Sequence, residues 1–179
     1  DGWRTLRFFL IYSPRWLFYF PGLFLIALGI LGYGLVYSGM EIRGITFDAH
    51  TLLFASLSVL CGYQAVLFAI FSKTFAINEG LLPEDPKLVR FFQIANLERG
   101  LILAMAGLIL GIVMLAMSVK MWHETGFGAM DYPRTMRIVI PGAFLTVLGV
   151  QTILSSFFVS ILGMKKVIPN NSTHSQISG

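Results

Sequence analysis

Four side chains stand out for what they could do and where they sit. Arg15, in "SPRW", and Arg99, in "LERG", each lie where a polar segment gives way to a long run without charge. A planar guanidinium can hold two phosphate oxygens through parallel N–H donors. A membrane surface is where lipid phosphates lie, so one reading of the pair is a clamp on a lipid phosphate. The other is snorkelling, in which each side chain reaches back to the headgroups without a dedicated partner. Gln64 and Gln151 are the side-chain amides inside the uncharged runs. In hydrocarbon such an amide bonds a neighbouring helix, an interaction averaging about 0.6 kcal/mol; the alternative is a polar contact lining a lipid groove. Arg4, Arg7, Lys87 and Arg90 join Arg15 and Arg99 as candidates for headgroup or lipid-phosphate contact.

No catalytic set accompanies them. His50, His123 and His174 are scattered, with no Cys or carboxylate at metal-ligand spacing. There is no GxSxG, P-loop or GxGxxG, and no run carries an ionisable group of the kind that marks an ion or proton path. The single cysteine, Cys61, excludes an intramolecular disulfide. Catalytic residues, metal ligands and cofactor contacts are therefore assigned to none of this chain's residues.

The elements that position these side chains follow from composition. Hydrophobic residues make up 56% of the 179 and charged ones 12%, about half the charged share of a soluble domain. The deficit is concentrated in four runs free of Asp, Glu, Lys, Arg and His: 16–40, 51–72, 100–119 and 138–164, of 25, 22, 20 and 27 residues. About 20 helical residues cross a hydrocarbon core of about 30 Å, so each run is long enough. The spacing predicts an all-α membrane protein with spans at about 16–38, 50–72, 100–120 and 138–163, within a membrane domain of 16–166. The first run is too long, and too clearly preceded by an amphiphilic segment, for a cleaved leader.

Lys and Arg number nine on the side of the termini and of the loop between spans 2 and 3, against four on the other side. That bias predicts both termini in the cytoplasm, in a cytoplasmic (inner) membrane. It also explains the net charge of +4 as a topology signal, and excludes nucleic acid as the partner. Two amphipathic segments are expected on the membrane surface. Residues 1–15 place three arginines among aromatic rings, and Pro14 turns the chain inward. Residues 86–98 place Leu88, Phe91, Phe92 and Ala95 on one stripe behind an Asp85 cap. The polar tail 167–179 reads as disordered.

The two halves also repeat. "GYQAVLFAIF" (62–71) aligns with "GVQTILSSFF" (149–158), "PRWL" with "ERGL", and Asp48 and Thr51 with Asp131 and Thr135. Each half reads as an interfacial helix followed by a hairpin, both hairpins in the same orientation. Gly29, Gly32 and Gly34, and the GxxxG pair Gly107 and Gly111, are expected to let helices approach within the chain. A homo-oligomeric face is the other use of such a pattern.

The stretches "DGWRTLRFFLIYSPRWLFYFPG", "FAINEGLLPEDP" with "LERG", and "LSSFFVSILG" together resemble the C-terminal membrane region of family 2 glycosyltransferases of the polyprenyl-phosphate, dolichyl-phosphate mannose synthase-like type. The resemblance covers about residues 1–166. It implies a GT-A catalytic domain ahead of Asp1, carrying the nucleotide-sugar pocket and a divalent metal, Mg or Mn. It also implies transfer of a sugar to a polyprenyl phosphate. The present chain would anchor that domain among membrane lipids, present the acceptor, and be inactive alone. Two other classes fit the span count: an autonomous GtrA-like four-helix carrier of polyprenyl-linked sugars, or a structural membrane scaffold.

Overall fold

The computed structural model describes residues 2–3, 5, 15–39, 41–42, 45–83, 85–86 and 97–164. Arg4, Arg7, Lys87 and Arg90, most of both surface segments and the tail lie outside the described residues. Four helices long and apolar enough to cross a membrane account for nearly everything described. Helix α1 runs Phe20–Ser38, preceded without a break by a π turn, Arg15–Tyr19. Helix α2 is Ala49–Asn78, α3 is Leu97–Glu124 and α4 is Tyr132–Met164. The π turn stands just ahead of Pro21, whose missing N–H leaves the Leu17 carbonyl without its usual helical donor; a wider turn accommodates this locally.

The all-α expectation holds but for one small element. Between α1 and α2, strands β1 (Glu41–Ile42) and β2 (Ile45–Thr46) pair antiparallel, Glu41 with Thr46 and Ile42 with Ile45. The ribbon satisfies backbone groups in a loop too short for a helix. Helix ends are fixed by local chemistry. At the end of α2, Gly80 takes φ 72° while the N–H of Leu81 bonds the Ala76 carbonyl at 2.9 Å. At the end of α3, Gly126 takes φ 65° and the N–H of Phe127 bonds the Trp122 carbonyl at 3.0 Å. Both are glycine-terminated Schellman stops.

Two antiparallel hairpins, α1–α2 and α3–α4, form the bundle. In lipid there is no hydrophobic drive to bring helices together, so contact depends on small residues. A Cβ added to Gly22 would lie 2.8 Å from the Gly62 carbonyl oxygen, and one added to Gly32 would lie 2.8 Å from the Ala55 Cβ. In the second hairpin a Cβ on Gly111 would meet the Thr146 nitrogen at 2.6 Å, and one on Gly149 the Ala104 carbonyl oxygen at 2.9 Å. Each distance is shorter than a real Cβ tolerates, so these glycines set how closely the helices approach. The expectation fails at Gly34 and Gly107, which have open space where a side chain would go. The GxxxG spacing of Gly107 and Gly111 is therefore half used within the chain, because residues four apart drift around the helix relative to one neighbour.

The hairpins join through α2 and α4. Contacts across this seam keep a nearly constant separation in sequence: Gln64 with Gln151, Tyr63 with Thr152, Phe71 with Phe158 and Asn78 with Leu162. A constant offset means that the two helices run parallel, so both hairpins have the same orientation. Gln64 and Gln151, and Phe71 and Phe158, are also equivalent positions of the repeat. Equivalent residues that meet each other at the same height lie beside an approximate two-fold axis along the bundle. On the outside, bulky residues such as Phe24, Phe54 and Leu103 are exposed, the arrangement expected when the surrounding medium is hydrocarbon.

Candidate functional site

Sequence-predicted positions fall at two levels of the bundle. Midway, the Gln151 Nε2–H donates to Gln64 Oε1 at 3.2 Å, bridging the seam. Beside it the hydroxyls of Tyr63 and Thr152 are 2.9 Å apart. Thr152 also donates to the Leu148 carbonyl at 2.7 Å, which leaves the Tyr63 hydroxyl to act as donor in the seam. The amides thus occupy the inter-helix position, with Gln64 still exposed on its outer side and Gln151 Oε1 buried without a hydrogen bond from a described group. One buried hydroxyl, Ser118 Oγ, likewise has no hydrogen-bond partner among the described residues. In the first hairpin, the Tyr33 and Ser56 hydroxyls lie 2.6 Å apart, with Ser56 donating to the Leu52 carbonyl at 2.8 Å.

At the end where α1 begins and α2 finishes, the charges collect. The π turn that carries Arg15 leans on α2, with Phe18 and Phe68 edge to face at 4.9 Å. This packing sets the Arg15 guanidinium 3.9 Å from the Asp85 carboxylate. Lys73, on the last turns of α2, donates directly to the same Asp85 oxygen. Arg99 stands on the first turn of α3, exposed and without an ion pair to another described residue. The packing partner of α3 is α4. Arg15 and Arg99 therefore occupy corresponding positions of the two halves but are not brought into one described contact. The local partner of Arg15 is Asp85, and the second cation beside it is Lys73.

In sequence Asp85 reads as a helix cap, for a segment outside the described residues, and Lys73 carries no assigned role. The available signal was weak: Lys73 is the first charge after a 22-residue run, and Asp85 follows it by three turns of chain. At the opposite end the Arg137 Nε–H donates to Asp48 Oδ1 at 3.2 Å, tying the start of α4 to the start of α2. Both partners are partly exposed, so the pair is worth under about 1 kcal/mol. Near it, Trp122, His123 and Phe127 pack their rings edge to face, at 4.8 and 5.3 Å from Phe127. Aromatic groups of this kind settle at a headgroup boundary. Among the described residues no three His, Cys, Asp or Glu side chains come together as a metal site would require.

The family described as glycosyltransferase family 2 C-terminal transmembrane region matches residues 70–163, from the last turns of α2 to the end of α4. A curated relative, the low-salt glycan biosynthesis hexosyltransferase Agl6 of Haloferax volcanii, is 33% identical over 163 residues. That alignment takes in 91% of this chain and 38% of the relative, so the chain spans well under half of that protein's length. No solved structure matches.

Proposed function

The chain belongs to the C-terminal transmembrane regions of family 2 glycosyltransferases, and from that premise we propose that it anchors a catalytic domain and presents to it a polyprenyl phosphate acceptor. The proposed reaction of the whole enzyme moves a sugar from a nucleotide donor to the acceptor's phosphate oxygen at the cytoplasmic face. The nucleotide-sugar pocket and the divalent metal are assigned to the catalytic domain. The Lys and Arg excess supports a cytoplasmic location for both termini and for that domain.

One observation carries the reading. Arg15 and Lys73 stand together at one end of the first hairpin and Arg99 stands on the first turn of α3, while along the spans the hairpins meet through the α2–α4 seam. That leaves apolar flanks beside the seam for a polyprenyl tail, under cations that suit a phosphate. Tail burial adds little selectivity, because lipid is already apolar. Discrimination from ordinary phospholipid therefore falls to the headgroup, where a phosphomonoester offers more charge and more free oxygens to guanidinium donors.

Steady-state kinetics of the full-length enzyme tests this. Arg15→Ala and Arg99→Ala are each expected to raise KM for polyprenyl phosphate about tenfold, the loss of one charge-assisted hydrogen bond, with kcat and donor KM within about twofold. Unchanged acceptor KM in both variants would overturn acceptor presentation.

A further inference from the structure

We propose that Asp85 is an exchangeable latch: it occupies, in cis, the place of a lipid phosphomonoester between Lys73 and Arg15, and the arriving phosphate displaces it and loosens the turn 79–83 that leads to it. The inference rests on the reading of the chain as an acceptor-presenting region and adds how acceptor binding is signalled.

The geometry is that of an incompletely satisfied anion site. Two cations, Arg15 and Lys73, converge on one oxygen of a single carboxylate. The Lys73 bond is direct and the Arg15 pair is loose, at 3.9 Å beyond hydrogen-bond distance. The Arg15 side chain is 56% exposed, against 25% for Lys73 and 20% for Asp85. Arg15 thus turns N–H donors toward the outside that Asp85 does not reach. A phosphomonoester carries about −1.5 to −2 near neutral pH and has three acceptor oxygens. It can neutralise both cations and bond both, which a single carboxylate at these distances does not.

The position suits a lipid phosphate. Lys73 is the first charge after the long uncharged run of α2, and Arg15 is the last before that of α1. Both therefore lie at headgroup depth, where a polyprenyl tail would enter beside the helices. Asp85 itself sits beyond the Gly80 stop, on the chain that leads from α2 toward α3. Release of its carboxylate from Lys73 and Arg15 removes two contacts that hold the turn 79–83 against the base of the first hairpin. Acceptor binding is thereby read out at the turn 79–83.

The test uses the chain in phospholipid nanodiscs with undecaprenyl monophosphate, with undecaprenol as the uncharged control and inorganic phosphate as the free anion. Asp85→Asn removes the competing charge and is expected to raise retention of undecaprenyl monophosphate about fivefold, whereas Lys73→Gln lowers it by a similar factor. In the unaltered chain, amide exchange across 79–83 is expected to accelerate with the lipid monophosphate and not with undecaprenol. The exchange measurement stands even if a variant fails to fold. Selective retention by the unaltered chain, with no gain in Asp85→Asn and no change in exchange, would overturn the latch and leave acceptor presentation intact. No retention by any form would overturn both. Acceleration by inorganic phosphate equal to that by the lipid would overturn the lipid assignment.

Discussion

Gln64 and Gln151 show what a residue type can and cannot announce. An amide in an uncharged run has to find a partner in hydrocarbon, and the aligned sequence segments put the two at equivalent positions. That they meet each other at 3.2 Å depends on which helices form the seam, and pattern alone does not specify this. Truncating one leaves the other unpartnered. Gln151→Leu is expected to lower stability by about 0.6 kcal/mol and at most about 1.7 kcal/mol, read as the unfolding midpoint in a denaturing-detergent titration. The double Leu variant should return to within about 0.5 kcal/mol of the parent, since no orphaned amide remains. A double variant less stable than either single one would contradict an inter-helix role. Lys73 and Asp85 lie at the other extreme. Nothing in their spacing marks a pair, because a lysine at a helix end and an acid before a proline are each accounted for singly. The fold brings them together only because Gly80 turns the chain back across the end of α2.

At the level of elements, the helices were legible from run length, and their ends from glycine. The helices overrun the apolar runs: α2 reaches Asn78, past the charge at Lys73, and α4 starts at Tyr132. Helical winding does not stop at the hydrocarbon boundary, since its backbone bonds are internal. Glycine packing was legible only in part, for a glycine's spacing gives its face but not which faces have neighbours. Gly62 and Gly107 separate the two cases. Gly62→Val puts a branched side chain against the Gly22 carbonyl and the Ile26 backbone and is expected to cost about 1–3 kcal/mol as the hairpin is forced apart. Gly107→Ala meets open space and should change stability by no more than about 0.5 kcal/mol. Thermal unfolding in detergent, followed by helical circular dichroism, reads both. A large loss in Gly107→Ala would show that this face is covered by a second copy of the chain.

Across the whole molecule, the repeat, the parallel α2–α4 seam and the family assignment agree. Two similar hairpins stand side by side about an approximate axis along the bundle, with their arginine-bearing ends at one level. Paired repeats of this kind place binding positions where the halves meet. The two halves are not equal, however: Arg15 has Asp85 and Lys73 beside it, and Arg99 has no such described pair. The first hairpin therefore holds a second cation beside its arginine that no described residue supplies to Arg99. The role proposed for the bundle is recognition of a polyprenyl phosphate in addition to anchoring. Native mass spectrometry of the purified chain, with polyprenyl monophosphate in competition with phospholipid, tests it most directly. The account predicts that one polyprenyl monophosphate per chain survives activation energies that strip phospholipid; equal loss of both lipids would contradict it.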